Sequence, residues 1–328
     1  MKNDQEAKGI IPVAEGVWGM KHVFVNFYMV QNEEDDSWVL VDAGLKWSAC
    51  RIRKMAETIF GSDSKPTGII LTHGHFDHVG SVATLAEEWD VPVYAHFLEI
   101  PYLTGKSSYP PPDPTVGGGL MATMSFSYPR GPISIWNRVN VLPSDGSVPG
   151  LPEWQYIHTP GHSPGHISLF RPSDKLLIAG DAFVTTKAES ALAVMMQTKR
   201  ISGPPKYLTI DWPAARESVS KLVALQPKIA ATGHGLPMKG AQLRDELLEL
   251  NQHFNEIAVP DHGRYVYEPA LADSNGIVYV PASIRASNNL VVKAAVVAAV
   301  VAFAIFFKRK KVQKQKHHEY LLDFEYNF

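Results

Sequence analysis

Three histidines and one aspartate fall within six residues of one another, at His73, His75, Asp77 and His78. Imidazole nitrogens and carboxylate oxygens are the ligands that divalent zinc takes at catalytic sites. Because His73 and His75 stand two residues apart, an extended segment would point both side chains in one direction. The spacing therefore predicts a metal-binding cluster, in which Asp77 and His78 open the next helix and face a second ion.

Other residues with suitable chemistry each follow an apolar segment that is predicted to be a strand. Ligand sites in open α/β sheets gather at one edge, outside the carboxyl ends of the strands. At these positions His162, Asp181 and His234 are predicted to bind metal, and Asp42 is predicted to orient a ligand histidine. Three further histidines are predicted to have supporting or structural roles: His96, His158 and His166.

The elements that would position these residues alternate between strands and helices throughout the chain. The predicted strands are Val23–Val30, Trp38–Val41, Gly68–Thr72, Val91–His96, Gln155–Thr159, His166–Arg171, Lys175–Ala179 and Lys228–Thr232. The predicted helices are Trp47–Phe60, Val79–Trp89, one that Asp211 caps, and Gly240–Ala258. The segment Thr104 to Gly119 is rich in Pro, Gly and Ser, and is either a surface excursion or a lid over a pocket.

The composition is that of a folded protein with a substantial core. The chain has 328 residues, of which 45% are hydrophobic, and a formal net charge of −2, which gives no sign of nucleic-acid binding. Its single cysteine, Cys50, excludes an intramolecular disulfide and a cysteine-rich zinc module. We interpret Cys50 as a small buried side chain of a helix, not as a nucleophile.

The C-terminal part differs in character from the rest. Residues 290–307 form an apolar stretch with one charge, Lys293, and the basic run Lys308–Lys311 follows it. That length is near the minimum for a bilayer span, and a basic flank is typical of a membrane edge. A buried or oligomerising helix is the alternative. The predicted domains are a catalytic domain at 1–285, a transmembrane or membrane-anchor helix at 286–307 and a basic tail at 308–328.

The predicted location is at a membrane, with the catalytic domain on the cytoplasmic side. The first sixteen residues contain no apolar core of a secretory signal. The basic tail points the other way, because positive flanks favour the cytoplasm and would place the domain outside. A long domain crosses a membrane poorly without a signal, so the cytoplasmic orientation is preferred.

Five motifs occur in a fixed order between Asp42 and His234: VDAG, HGHFDH, PGH, GDA and GHG. This series resembles the metallo-β-lactamase superfamily. The resemblance implies an α/β fold, the four-layer αβ/βα sandwich. It also implies a ligand set in which one ion is bound by His73, His75 and His162, a second by Asp77, His78 and His234, and Asp181 bridges the two.

An aspartate at position 181 resembles the glyoxalase II and lactonase branch of that superfamily more than its true β-lactamases. The stretch from Pro205 to Gly235 is similar to a group of uncharacterised bacterial metallohydrolases. No counterpart of the basic residues with which glyoxalase II binds glutathione is recognisable.

The predicted activity is that of a dinuclear metal-dependent hydrolase. Two Zn²⁺ ions, with iron or manganese as alternatives, would share a water, and the bridging hydroxide would attack the carbonyl of a small-molecule ester, thioester or lactone. Asp77 is the predicted catalytic residue, because its carboxylate could also carry a proton. The oligomeric state is not predictable.

Two other functions fit parts of the pattern. A persulfide-dioxygenase-like enzyme with one iron also uses a run of this kind, and a membrane-tethered metal-binding scaffold would need no turnover. The complete set, including His78 and His234, favours a dinuclear site.

Overall fold

A computed structural model of the protein describes residues 9–283. The strands in this range are β1 (Ile10–Ala14), β2 (Val17–His22), β3 (Val25–Gln31), β4 (Trp38–Val41), β5 (Gly68–Ile70), β6 (Val93–Ala95), β7 (Val139–Val141), β8 (Ser147–Val148), β9 (Leu151–His158), β10 (Ile167–Arg171), β11 (Leu176–Ile178), β12 (Ile229–Ala231), β13 (Met238–Lys239), β14 (Leu271–Asp273) and β15 (Gly276–Tyr279). The α-helices are α1 (Ala49–Phe60), α2 (Phe76–Val79), α3 (Val82–Trp89), α4 (Ile100–Leu103), α5 (Leu120–Met124), α6 (Ala191–Met196), α7 (Trp212–Ala224), α8 (Gly240–Gln252) and α9 (Phe254–Ile257).

Two mixed sheets form the centre of the fold. The first sheet has the strand order β1 to β7, antiparallel from β1 to β4 and parallel from β4 to β7. The second has the order β13-β12-β11-β10-β9-β8, with one parallel pair, β11 and β12. The loops that follow β4, β5, β11 and β12 begin at the carboxyl ends of these strands. Loops in that position can carry a functional site.

Apolar side chains hold the layers in the order helix, sheet, sheet, helix. The faces that the two sheets turn towards each other share one core, in which Val39 and Ile70 pack with Leu169. The outer face of the first sheet is covered by α1 and α3, and that of the second by α7 and α8. Each fully buried aliphatic side chain contributes about 1.5–3 kcal/mol relative to an exposed one, so the scaffold is well supported.

The predicted strands and helices correspond to observed ones, with boundary differences that have local causes. Val23 was predicted to begin a strand, but it lies at the tip of the β2–β3 hairpin with a φ of 61°. The predicted helix Val79–Trp89 is divided at Gly80, whose N–H donates to Gly44 O at 2.8 Å. The predicted helix Gly240–Ala258 is interrupted at His253. Asp211 caps α7 as predicted, its carboxylate accepting from Ala214 N at 2.9 Å.

The interpretation of Cys50 as a buried residue was wrong, because its side chain is exposed. The buried face of α1 is formed by Ile52, Met55 and Ala56, at helical spacing. At about 100° per residue, Cys50 stands roughly 200° from Ile52 and so faces solvent.

The predicted apolar helix at 290–307 and the basic tail lie outside the described residues, and the domain division remains a prediction. Across residues 9–283, no helix combines the length and the apolar character that a bilayer crossing requires.

Candidate metal centre

The first sheet supplies four of the seven predicted ligands. The strand β5 ends at Ile70, and the extended chain that follows carries His73 and His75. Asp77 and His78 lie in the first turn of α2, whose N-cap is His75. A side chain at position 74 would strike the Tyr109 hydroxyl, 2.6 Å from an ideal Cβ, which explains the glycine between the two histidines.

The second sheet supplies the other three. His162 lies in the turn between β9 and β10, Asp181 follows β11, and His234 follows β12. Gly233 lets the backbone pass directly beside the Asp181 carboxylate and the His78 ring, where a Cβ would collide with both. The seven side chains therefore come from opposite sheets and meet at one edge of the sandwich.

The ligand atoms of these residues lie close enough to share ions. His75 Nδ1 lies 3.0 Å from His162 Nε2, and Asp181 Oδ2 lies 3.4 Å from His162 Nε2. On the other side, His234 Nε2 is 3.1 Å from Asp181 Oδ2 and 3.6 Å from Asp77 Oδ2. Two ligands at 2.0–2.1 Å from one tetrahedral ion would be roughly 3.3–3.4 Å apart, so these separations suit cation binding.

Among the described residues, three groups of possible ligand atoms have all their members within 4.8 Å of one another. They are His73, His75 and His162; His73, His78 and Asp181; and Asp77, His78 and His234. The first and third groups match the two triads that the family resemblance implies, and Asp181 stands between them.

Unpartnered polar atoms provide a test of whether the residues fit metal ions. Among residues 9–283, four buried atoms of the cluster have no hydrogen-bond partner: His73 Nε2, Asp77 Oδ1, His78 Nε2 and Asp181 Oδ1. None of the seven residues is more than 4% exposed. Leaving such groups buried and unpaired costs free energy, which divalent cations among them would offset. The donor set therefore fits a pair of cations.

Burial and neighbouring charges shift the pKa values of the histidines in the cluster in opposite directions. Burial lowers the pKa of His75 to about 3, and the neighbouring His78 adds to the effect. Burial also lowers the pKa of His78, but Asp42, Asp181 and Asp77 outweigh it, and its net pKa is well above the usual value. Burial opposes ionisation of Asp181, yet His234 and His78 hold its pKa well below the usual range. The carboxylates around His78 therefore stabilise positive charge at this end of the cluster.

Asp42 has the orienting contacts that the sequence predicted. Its Oδ2 lies 2.7 Å from His78 Nδ1 and accepts from Thr72 Oγ1 at 2.8 Å, while Oδ1 accepts from Thr72 N. The contact leaves His78 Nε2 directed at the cluster. Asp42 adopts a φ of 61°, a left-handed conformation that aspartate and asparagine tolerate better than other residues.

The substitution Asp42→Asn should lower the pKa of His78 and weaken metal binding by about 10- to 100-fold, because it removes the charge that holds the ring. The pKa can be followed by NMR titration of the metal-free protein, and metal affinity by competition with a chelator. Asp63→Asn, at an exposed position with a φ of 64°, controls for the backbone conformation. An unchanged His78 titration would contradict the role of Asp42.

His166 supports the centre without belonging to it. Its Nε2 accepts from the backbone N–H of Asp181 at 2.8 Å, and its Nδ1 donates to Thr159 O at 3.1 Å. Burial lowers the pKa of His166 to about 3, so the ring is neutral and can accept in this way. The predicted supporting role is visible in these contacts.

A buried glutamate that sequence reasoning missed connects the two loops beside His73, His75 and His162. Glu99 Oε2 accepts from Gly74 N at 2.9 Å and from the Tyr109 hydroxyl. Its Oε1 accepts from Ser163 Oγ and from Gly165 N, both at 2.8 Å. One carboxylate therefore fixes a loop from each sheet. The available signal was a lone acid in the apolar sequence FLEIPYL.

The segment 104–119 and the residues after it pack against this edge of the sandwich. Tyr109 lies with its ring 4.4 Å from that of His75 and stacks on Tyr102 at 4.0 Å. Tyr128 packs against Phe76 at 5.2 Å, whereas Phe126 is exposed. Tyr109 and Tyr128 therefore reach the surroundings of the cluster.

His96 and His158 form a separate pair, with stacked rings 4.1 Å apart. The His96 side chain accepts from Leu98 N and begins the turn that leads to Glu99, and His158 Nε2 donates to Pro164 O at 2.8 Å. Burial, assisted by the adjacent His158, lowers the pKa of His96 to about 4. Both roles are structural, in line with the sequence prediction.

The burial of this histidine pair should make the free energy of unfolding fall at acidic pH. The unfolded chain binds a proton at His96 below about pH 6.5, while the folded protein resists until about pH 4. Stability from this site is therefore present above pH 6.5 and lost as the pH falls towards 4. Urea unfolding across that window should show a shallower pH dependence in His96→Asn, whereas His262→Asn, at an exposed histidine, should follow the parent protein. Equal slopes in all three proteins would refute the assignment.

A comparison with known protein families decides the classification. The family model described as "Metallo-beta-lactamase superfamily" matches residues 20–234 of this chain, and this range contains every residue of the cluster. The chain belongs to the metallo-β-lactamase superfamily. It has the α/β fold of that superfamily, and the predicted class of enzyme, a metal-dependent hydrolase, is confirmed at that level.

Individual relatives agree with the superfamily assignment. The Bacillus subtilis protein named "Probable metallo-hydrolase YflN" is 47% identical over 245 residues, which cover 74% of this chain and 93% of that protein. The hydroxyacylglutathione hydrolase of Xylella fastidiosa is 33% identical over only 35% of this chain and 32% of its own. A β-lactamase domain protein from Burkholderia ambifaria shares the fold, with a TM-score of 0.53, 20% identity, and coverage of 76% and 74%.

Proposed function

We propose that this metallohydrolase is dinuclear and cleaves the carbonyl group of an ester, thioester or lactone. The proposal depends on one observation: seven buried side chains from two sheets converge, and four of their polar atoms have no partner among the described residues. In this assignment one cation is held by His73, His75 and His162 and the other by Asp77, His78 and His234, with Asp181 between them. Zinc is the preferred metal, and iron or manganese the alternatives.

When bound, two divalent cations would lower the pKa of a shared water towards neutrality and polarise a substrate carbonyl. The protein contributes the geometry. His166 fixes the backbone of Asp181, Asp42 fixes the ring of His78, and Glu99 fixes both loops of the first triad. Because these contacts exist before any cation or substrate arrives, little reorganisation is needed at the moment of reaction.

Asp77 is proposed as the residue that carries the proton. Its Oδ2 faces His234, while its Oδ1 makes no hydrogen bond with another described residue. Burial raises the pKa of Asp77, and this outweighs the opposing effect of His78 and His234. That value belongs to the protein without cations; in the metal-loaded protein, a carboxylate oxygen left free beside a water nucleophile could accept its proton and return it to a leaving group.

Aromatic side chains beside the acidic half of the cluster are suited to an acyl or ring-shaped substrate. Phe24 stacks on His234 at 6.1 Å and lies 6.4 Å from Phe76, which packs against Tyr128. Tyr128 in turn contacts Tyr207 at 5.9 Å. These rings offer apolar contact area with hydroxyl groups at one end, as small-molecule sites commonly do.

A substrate panel with defined metal content tests the proposal. The full chain, loaded with zinc, iron or manganese, should hydrolyse at least one class among aryl esters, acyl thioesters and lactones, and chelation should abolish the activity. Mass spectrometry under native conditions should give two ions per chain. One iron with oxygen consumption on a persulfide, or two bound ions with no hydrolysis of any class, would overturn it.

A further inference from the structure

Two segments contact the hairpin tip that carries Phe24 beside the metal centre. We call the tip and these two segments together the apolar rim: residues 21–24, 45–51 and 187–200. The first is the β2–β3 tip, the second follows β4, and the third follows β11. The second and third therefore leave the sandwich at the same edge as Asp42 and Asp181. Direct contacts join them to the first, since Lys21 Nζ donates to Val194 O at 2.9 Å and His22 Nδ1 lies 2.7 Å from Ser48 Oγ.

The part of the rim formed by α6 exposes a face made only of large apolar side chains. Leu192 is 61% exposed, Met195 64% and Met196 67%. Positions i, i+3 and i+4 share one side of a helix, so the three side chains form one surface while Val194 is buried beneath. A face of this kind normally points into a core.

Two further apolar side chains extend the surface. Val23 at the hairpin tip is 56% exposed, and Trp47 in the second segment is 64% exposed. The tip is held at the metal centre, because His234 Nδ1 donates to Phe24 O at 2.8 Å. Five large apolar groups therefore stand in solvent on the hairpin tip and on the two segments that contact it.

The charge of the rim is opposite to that of the chain. The three segments contain six basic residues and one acidic residue, although the chain as a whole carries −2. The acidic residue, Glu189, is buried and accepts from Lys206 N at 3.0 Å. Among the basic residues, Lys46, Arg51, Lys187, Lys199 and Arg200 are all exposed. A partner for this surface must offer both an apolar phase and negative charge.

We propose that the apolar rim docks on the surface of an anionic lipid bilayer and turns the mouth of the metal centre towards the membrane. Proteins that bind the headgroup region of a bilayer use surfaces in which exposed Trp, Leu or Met side chains lie among Lys and Arg. The apolar sequence 290–307 follows the described residues, and as the predicted membrane anchor it would raise the local concentration of the rim at a bilayer. A lipophilic substrate could then reach the site without crossing water.

A single fluorescent label tests this in the full, metal-loaded chain. Cys50, the only cysteine, is replaced by alanine, and an environment-sensitive dye is attached at Met196→Cys. The matched control carries the dye at Leu248→Cys, an exposed position on α8 in the helix layer outside the second sheet. With vesicles of phosphatidylcholine and phosphatidylglycerol, the emission at 196 should shift to the blue and be quenched by a lipid-borne quencher, while that at 248 should not.

Charge variants separate the rim from the tether. Replacing Lys199 and Arg200 by glutamine should weaken embedding of the label at 196 by about thirtyfold, since each basic residue near an anionic surface typically contributes about fivefold and two are removed. Replacing Lys175 and Lys228, which directly precede β11 and β12 at the strand ends opposite to those that lead to Asp181 and His234, should leave it unchanged. If the label at 196 responds no more than the label at 248, the rim does not enter the bilayer and the proposal fails. A shift at 196 without vesicles that grows with protein concentration would show that a second copy covers the rim, and would also overturn it.

Discussion

Replacing Asp181 by alanine should reduce the bound metal from the two ions proposed above to one or fewer and lower hydrolysis by more than about a hundredfold. Removing a group that only orients a ligand commonly costs 10- to 100-fold in metal affinity or activity. Asp181 Oδ2 lies within 3.7 Å of ring nitrogens of His78, His162 and His234, so its loss removes the negative charge between both triads. Without it, the five histidines and Asp77 would have to hold two cations against the repulsion between those cations.

The variant should be assayed for metal content and for hydrolysis in the same preparation, since the two are expected to fall together. His75→Ala should show the same joint loss. Asp245→Ala, at an exposed aspartate paired with Arg244, is the control and should behave as the parent protein. Full activity in an Asp181→Ala protein that holds no metal would refute the dinuclear mechanism.

Replacing Glu99 by glutamine should weaken metal binding at His73, His75 and His162 by about 10- to 100-fold, although Glu99 touches none of these rings. The carboxylate accepts on both oxygens, whereas glutamine accepts on one and donates on the other. Its amide group would therefore face the N–H of Gly74 or of Gly165. An unsatisfied buried donor costs about 1–3 kcal/mol, so the free energy of unfolding should fall as well.

Competition with a chelator distinguishes this positioning role from general damage. In Glu99→Gln the affinity of one ion should fall much more than that of the other, which a merely destabilised fold would not produce. Glu246→Gln is the matched control, because Glu246 also accepts from a backbone N–H, that of Ile201, and lies on α8. If Glu99→Gln binds both ions with unchanged affinities, the two loops do not depend on this carboxylate.

The convergence of the seven side chains could be predicted from the sequence because the residues that can bind metal are dense and local. Four metal-binding side chains within six residues seldom serve packing alone, and the remaining three follow apolar strands whose ends meet at one edge. The central strands were recognisable for the same reason: β4 and β5 are buried along their whole length and read as continuous apolar runs.

The supporting structure was less predictable, because it depends on contacts between distant parts of the chain. Glu99 lies 64 residues from Ser163 and 25 from Gly74, and no local pattern connects them. The strand β2 was missed because it is only partly buried and its boundary is a turn at a valine, a residue that rarely adopts a positive φ. The exposure of Cys50 follows from the helix phase, which became clear only once the buried face of α1 was known.

The division of the seven ligands between two sheets has a consequence for how long the protein survives. A cation bound in the cluster would link the two sheets, since four of the cluster's side chains come from one sheet and three from the other. Free metal at a hundred times its dissociation constant adds about 2.7 kcal/mol to the folded state. In a metal-starved cell the chain would therefore open more often and be degraded faster, so that its abundance, and not only its turnover, would follow the supply of metal.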